Sequence, residues 1–165
     1  KGETDDIRES PAIELVQMLL AEGCSIAAFD PAAIKRTQEV LPANENLRYV
    51  TDSYAAAQDA DALLILTDWR EFAELDLDRL HKILRYPIVI DGRNLYYPEV
   101  MTQFGLTYLS VGRAAAHPNP GAGGYAGGAV GNPSADLAAL GASGRIVRGR
   151  RHRGIRAARD RKSVV

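Results

Sequence analysis

Short apolar runs alternate along the first two thirds of the chain with segments whose apolar residues recur at helical spacing. The strongest run is Ala62–Thr67, and its length and composition are typical of a buried strand. Segments such as Leu77–Leu84 place their leucines three and four positions apart, which predicts amphipathic helices. The predicted strands are 24–29, 47–50, 62–67, 87–90 and 106–109, and the predicted helices are 11–22, 31–40, 53–58, 77–84 and 98–104.

Strands that alternate with helices predict an α/β fold, with a parallel sheet covered by helices on both faces. Ligands of such sheets bind beyond the carboxyl ends of the strands. Four segments are expected at that edge: the opening loop from Lys1, Asp30-Pro31, Thr67–Trp69 and Asp91–Asn94. The opening loop fits only if another strand precedes Lys1, so we expect the first strand of the sheet to be missing.

The opening loop is unusually dense in charge. Lys1, Asp5, Asp6 and Arg8 lie within a few residues of Ser10-Pro11, which predicts the N-cap and first position of a helix. Isolated surface charges gain little from being ordered, so such a loop is expected to hold a ligand.

Charge divides the chain into two parts. Residues 1–110 contain 10 Lys+Arg against 19 Asp+Glu, whereas residues 111–165 contain 10 Lys+Arg against 2 Asp, and together they give the formal net charge of -1. The second part is rich in Gly, Ala and Pro up to Pro133 and carries an Arg-rich run at 145–162. It has too few periodic apolar residues to offset its ordering entropy, so we expect residues 114–165 to be disordered.

Cysteine and histidine usage excludes several classes of site. A single cysteine, Cys24, excludes an internal disulfide and suits the reducing cytoplasm. It begins an apolar strand without a basic neighbour, so we expect a buried thiol and not a nucleophile. The three histidines lack metal-ligand spacing, and no apolar run approaches the roughly 20 residues of a membrane helix. No metal and no membrane contact are therefore expected.

Five short motifs occur in an order that is more informative than any one of them. They are Lys1-x-x-Thr4-Asp5-Asp6-x-Arg8-x-Ser10-Pro11, Phe29-Asp30-Pro31, Thr67-Asp68-Trp69-x-x-Phe72, Asp91-Gly-Arg-Asn94 and Tyr108-x-Ser-x-Gly112-Arg113. Over residues 1–113 the chain resembles the C-terminal UDP-binding domain of the UDP-glucose/GDP-mannose dehydrogenase family. Asp91–Asn94 followed by Tyr96 favours the UDP-glucose branch of that family.

The resemblance implies a Rossmann-like parallel sheet in a nucleotide-sugar-binding domain at 1–113. Residues 114–165 lie outside the resemblance, and their composition predicts a disordered basic tail. Family members oxidise the C6 alcohol of the sugar, here UDP-glucose or a related nucleotide sugar, to a carboxylate with two NAD. They use a Cys nucleophile from a middle region and a Gly-rich NAD loop from an N-terminal domain. The only Gly-rich segment here, 121–128, lies in the tail outside any predicted strand–helix unit.

The chain alone is therefore expected to be inactive and to have no catalytic residue of its own. The resemblance implies that its partners are the N-terminal and middle domains of the intact enzyme, which is expected to be a homo-oligomer. It also implies that Lys1 and Arg93 contact the nucleotide sugar and that Arg8 reaches NAD. Arg forks and a Lys charge suit the pyrophosphates of both ligands, and Asp5 and Asp6 would hold Arg8 or its loop in place.

Simpler interpretations remain beside these roles. Lys1 and Arg8 could be solvated surface charges, and Arg93 could form an ion pair with Asp91. Trp69 and Phe72 suit packing better than ligand stacking.

The role of the tail and the identity of the sugar each have alternative interpretations. The Arg-rich run could bind nucleic acid, but Tyr125 is the one aromatic residue near it, which argues against stacking on bases. A divergent extension or a misread frame of the gene is an equally open account of the tail. The sugar could also be another one, such as UDP-N-acetyl-mannosamine.

Overall fold

The computed structural model describes residues 4–119 and 161–164, and their strands form one parallel six-stranded sheet. Its order is β2-β1-β6-β3-β4-β5. The strands are β1 Ser25–Ala28, β2 Leu47–Tyr49, β3 Ala62–Ile65, β4 Ile88–Asp91, β5 Thr107–Ser110 and β6 Arg161–Val164. Every pair of neighbouring strands runs parallel, which confirms the α/β fold expected from the alternating pattern.

The described residues contain six helices. They are α1 Pro11–Ala21, α2 Ile34–Val40, α3 Ser53–Ala57, α4 Arg70–Ala73, α5 Leu77–Ile83 and α6 Pro98–Gln103. The second helix begins three residues later than the pattern predicts. The reason is that Asp30 Oδ1 accepts hydrogen bonds from the N–H groups of Ala32 (2.9 Å) and Ala33 (2.7 Å), which holds a turn before the helix.

Aspartates cap two of the helices. Asp52 Oδ1 accepts from the N–H of Ala55 at the start of α3, and Asp76 Oδ1 accepts from the N–H of Arg79 at the start of α5. Ser10 stands at the N-cap of α1, as predicted, but its side chain makes no capping hydrogen bond. The position of Pro11 in the first turn accounts for that helix start better than the serine hydroxyl does.

Two apolar cores lie on opposite faces of the sheet. Along β3, Leu63 and Ile65 belong to one core and Leu64 belongs to the other, as the alternation of a strand requires. The larger core includes buried residues of α3, α5 and α6, and the smaller one includes Val16 of α1. Helices therefore cover both faces. Phe72 is buried in the larger core, in edge contact with Phe29, which confirms its packing role.

Most of the region predicted to be disordered, 114–165, lies outside the described residues. Two of its segments, 114–119 and 161–164, are described, and both contact the sheet. Ala116 forms an antiparallel bridge with Tyr108 at the outer edge of β5. Arg161–Val164 forms β6, a strand that the sequence pattern did not predict. It lies between β1 and β3 and pairs with both, with Lys162 opposite Ile26 on one side and Ala62 on the other. In the described sheet, β6 joins the two halves.

Because β6 is hydrogen-bonded on both sides, a proline within it should weaken the whole sheet. Ser163→Pro removes a ladder N–H, and we expect the free energy of unfolding to fall by about 1–3 kcal/mol in urea titrations. Ser163→Ala keeps the N–H and is the matched control. Equal urea midpoints for the two variants would show that β6 does not hold the sheet together.

Candidate functional site

The loops that follow β1, β3, β4 and β5 lie at one edge of the sheet because all these strands are parallel. Side-chain hydrogen bonds connect neighbouring loops along this carboxyl edge. Trp69 Nε1 donates to Asp30 Oδ2 at 3.1 Å, and Arg93 Nη2 donates to Asp68 Oδ2 at 2.9 Å. These bonds join three of the four segments expected at this edge, which are Asp30-Pro31, Thr67–Trp69 and Asp91–Asn94.

A buried carboxylate, that of Asp91, organises the turn after β4. The side chain is fully buried, and its oxygens accept four hydrogen bonds from uncharged donors. Asp91 Oδ1 accepts from the N–H of Arg93 at 2.8 Å. Asp91 Oδ2 accepts from the N–H groups of Leu95 (2.7 Å) and Tyr96 (3.3 Å) and from the Tyr108 hydroxyl (2.7 Å). Burial of a carboxylate is costly unless donors surround it, and here they come from the turn itself.

Two further residues fix the shape of this turn. A Cβ on Gly92 would approach the carbonyl oxygen of Ile65 to 3.2 Å, tighter than ordinary contact, and the Gly92 N–H donates to that same oxygen. Asn94 adopts a left-handed φ of 58°, which asparagine tolerates better than most residues. Its amide donates to the carbonyl of Val111 and accepts from the N–H of Val111, both at 3.1 Å. The turn is therefore fastened to the end of β5.

Arg93 extends from this turn toward Asp68 and not toward Asp91. Only its backbone N–H contacts Asp91, so the simpler interpretation of an Arg93–Asp91 ion pair is wrong. The Arg93 and Asp68 side chains are 42% and 43% exposed, which leaves the guanidinium accessible to a ligand. Arg113 lies nearby and donates to the carbonyl of Tyr96 at 3.1 Å. The exposed guanidinium of Arg93 can bind a phosphate through its planar fork.

The described part of the opening loop begins at Thr4, so Lys1 lies outside the described residues. Arg8 donates from Nε and Nη2 to the two carboxylate oxygens of Asp6, at 2.9 and 2.8 Å, while its side chain is 85% exposed. The hydrogen bond to Asp6 and its negative charge raise the pKa of the Arg8 guanidinium. Asp5 pairs instead with Arg36 of α2 at 3.0 Å. Asp6 therefore holds Arg8, as expected, whereas Asp5 ties the loop to α2.

An open cavity of about 700 Å³, including its mouth, lies between the opening loop, α1, α2 and the ends of β1 and β3. Its lining is mainly apolar, and Asp6 and Asp30 line it as well. Thr67 Oγ1 is buried and has no hydrogen-bond partner among the described residues. Neither Arg8 nor Arg93 lines the cavity. Arg93 pairs with Asp68, which follows the cavity-lining residue Thr67 in the chain.

The described residues contain no exposed thiol, no metal-binding group and no membrane-spanning helix. Cys24 is buried in the smaller core, which confirms the buried thiol predicted from the sequence. Residues 4–119 hold no group of three or more His, Cys, Asp or Glu side chains arranged to bind a metal ion. Their helices are all too short or too polar to cross a membrane.

The hydrogen bonds of Asp91 and Asp68 were not predicted from the sequence. A signal for Asp91 was present, because it lies two residues after buried Val89 on the same strand and therefore on the same face. An acidic side chain on a buried strand face requires several donors. Asp68 gave no such signal, since its partner Arg93 lies 25 residues further along the chain.

Comparisons with known proteins show what this chain is similar to. The family model for the UDP-glucose/GDP-mannose dehydrogenase family, UDP binding domain, matches residues 1–98, which confirms the resemblance seen in the motifs. UDP-glucose 6-dehydrogenase TuaD of Bacillus subtilis is 44% identical over 115 residues, which are 70% of this chain and 24% of that protein. UDP-glucose 6-dehydrogenase of Rhizobium meliloti is 40% identical over 113 residues, which are 68% of this chain and 25% of that protein.

The chain thus spans about a quarter of the length of these curated relatives. A solved structure of UDP-D-ManNAc dehydrogenase from Pyrococcus horikoshii is 23% identical, with a TM-score of 0.40, and the match covers 62% of this chain and 30% of that one.

The tyrosines beside Asp91 predict a loss of stability at alkaline pH. Burial raises the pKa of Tyr96, and burial together with the hydrogen bond to Asp91 raises that of Tyr108. Unfolded tyrosines ionise near pH 10, so above about pH 10 the unfolded state releases these protons while the folded state keeps them. The free energy of unfolding should therefore fall by up to about 1.4 kcal/mol per pH unit for each such tyrosine.

Urea titrations at about pH 8 and at several values above about pH 10 would measure this slope. The double variant Tyr96→Phe/Tyr108→Phe should show a shallower slope, whereas Tyr86→Phe, at an exposed position, should keep the wild-type slope. A double variant with an unchanged slope would contradict the assignment.

Proposed function

The chain belongs to the UDP-glucose/GDP-mannose dehydrogenase family as its UDP-binding domain, and from this membership we propose that it binds the nucleotide sugar in an NAD-dependent UDP-glucose 6-dehydrogenase. The observation that supports this most strongly is the half-exposed Arg93 guanidinium, presented at the carboxyl edge of the sheet by a buried turn. Relatives named UDP-glucose 6-dehydrogenase, 40% and 44% identical, support the choice of UDP-glucose.

In this proposal, Arg93 binds the pyrophosphate of the UDP-sugar. Its present partner, Asp68, is about as exposed as Arg93 itself, so a phosphate can compete for the guanidinium at small cost. A doubly charged pyrophosphate offers a stronger charge and a geometry that suits the guanidinium fork. Lys1 would add a point charge on the same ligand from the start of the opening loop.

Arg8 is proposed to contact NAD, the hydride acceptor of the reaction. Its side chain is exposed and held by both oxygens of Asp6, so it is directed without being enclosed. The opening loop would supply only part of the NAD site, because it offers one guanidinium and no Gly-rich phosphate-binding loop. NAD would be bound mainly by the N-terminal part of the intact enzyme.

The intact enzyme, in this proposal, oxidises UDP-glucose to UDP-glucuronate and consumes two NAD in each turnover. It would act in the cytoplasm as a homo-oligomer, and its nucleophile would come from a region other than this chain. Cys24 is unsuited to that role, since it is buried in the smaller core. We therefore propose that the 165-residue chain binds the substrate but forms no NADH when UDP-glucose and NAD are supplied.

Binding of UDP-glucose to the chain, measured by isothermal titration calorimetry, tests the proposal. Arg93→Ala should weaken binding about tenfold or more, because a charge-assisted hydrogen bond contributes about 1.5–3 kcal/mol. The matched control is Arg85→Ala, which removes an arginine paired with Asp61 just before β3, at the opposite edge of the sheet. This control should bind UDP-glucose as the wild type does.

Two results would overturn the proposal. One is a wild-type chain that does not bind UDP-glucose, and the other is equal affinity in the wild type and Arg93→Ala. Tighter binding of UDP-N-acetyl-mannosamine than of UDP-glucose would keep the nucleotide-sugar site but reassign the substrate.

A further inference from the structure

The buried carboxylate of Asp91 contacts the backbone of the residue whose side chain is proposed to bind the ligand. Asp91 Oδ1 has one donor, the N–H of Arg93 at 2.8 Å. The other oxygen, Oδ2, has the remaining three donors, which are the N–H groups of Leu95 and Tyr96 and the hydroxyl of Tyr108. The two oxygens therefore have separate tasks: Oδ2 joins the turn to the core, and Oδ1 fixes Arg93.

Arg93 is thereby held between two fixed points of the backbone. Its own N–H is bound by Asp91, and the next residue, Asn94, is fastened to Val111 by two hydrogen bonds of 3.1 Å. The Arg93 side chain remains half exposed, with Asp68 as its partner. A ligand that binds the guanidinium would therefore not have to order the backbone beneath it, which preserves affinity.

From this geometry we propose that Asp91 is a positioning residue for substrate binding, acting through the backbone N–H of Arg93. This inference rests on the proposed function, because it takes Arg93 as the ligand contact. It adds a role that a buried polar residue need not have. A purely structural Asp91 would lower stability when changed but would leave the affinity of the folded protein unaltered.

Asp91→Asn separates the two oxygens chemically. An amide has one oxygen and one NH2 group, and the NH2 group cannot accept a hydrogen bond. If the amide oxygen takes the place of Oδ2, it keeps the three donors from Leu95, Tyr96 and Tyr108, and the NH2 group faces the N–H of Arg93. The conservative substitution thus preserves most of the turn and releases Arg93 selectively.

The test is a double-mutant cycle on UDP-glucose affinity, with the wild type, Asp91→Asn, Arg93→Ala and the double variant measured by calorimetry. Asp91→Asn should weaken binding about tenfold in the wild-type background, the size expected for one lost interaction of about 1.4 kcal/mol. In the Arg93→Ala background it should change affinity less than about twofold, since the residue it positions has been truncated.

Tyr96→Phe is the control for stability alone. It removes a buried hydrogen bond to the carbonyl of Phe72 and keeps all four donors on Asp91. It should lower the melting temperature and leave UDP-glucose affinity within about twofold of the wild type.

A measurement on the wild type keeps the inference testable if Asp91→Asn does not fold. Hydrogen exchange followed by NMR should show a protected Arg93 amide in the free chain, with little change when UDP-glucose is added. Rapid exchange of that amide in the free chain would overturn the inference.

The outcomes distinguish the two proposals. If the wild type does not bind UDP-glucose, the proposed function fails. If the wild type binds and Arg93→Ala weakens binding while Asp91→Asn does not, the positioning role alone fails. Equal weakening by Asp91→Asn in both backgrounds would make Asp91 a general fold residue and would also overturn the positioning role.

Discussion

The carboxyl edge of this sheet depends on one buried carboxylate, that of Asp91. It is removed from water at the end of β4, and four uncharged donors from the turn and from β5 compensate for its burial. The energetic demand of the charge explains why residues 92–96 close back on their own strand. It also explains why Tyr108, in the core, faces that turn. The position of Arg93 follows from these contacts, and so does the shape of the proposed binding surface.

The sheet was largely predictable because its strands are short apolar runs separated by Gly, Pro and Asp signals. Predictions were less successful where a side chain or a distant strand decides the structure. The start of α2 shifted because Asp30 binds two N–H groups in a turn, which no hydrophobic period can indicate. Arg161–Val164 lacks an apolar period of its own, and its strand conformation arises from pairing with β1 and β3.

The ordered motifs predict Arg8 and Arg93 as ligand contacts, but they do not indicate every side chain that holds these arginines. In the structure each pairs with a carboxylate, Arg8 with that of Asp6 and Arg93 with that of Asp68. The pairing of Arg8 with Asp6 was predictable because the two residues are two positions apart. The pairing of Arg93 with Asp68 was not, because 25 residues separate them and the pairing of β3 with β4 brings them together. The ligand contacts of Lys1, Arg8 and Arg93 remain predictions. In the proposed function, the domain supplies binding groups and the chemistry belongs to the rest of the enzyme.

Backbone NMR during a titration with UDP-glucose can locate the proposed nucleotide-sugar site on the carboxyl edge residue by residue. We expect saturable shifts of the amides of residues 67–69 and 91–94, at the ends of β3 and β4. Amides near Asp61 and Arg85, at the opposite edge, should remain unchanged. Shifts that cluster at that opposite edge, or no saturable shifts at all, would show that the carboxyl edge is not the binding site.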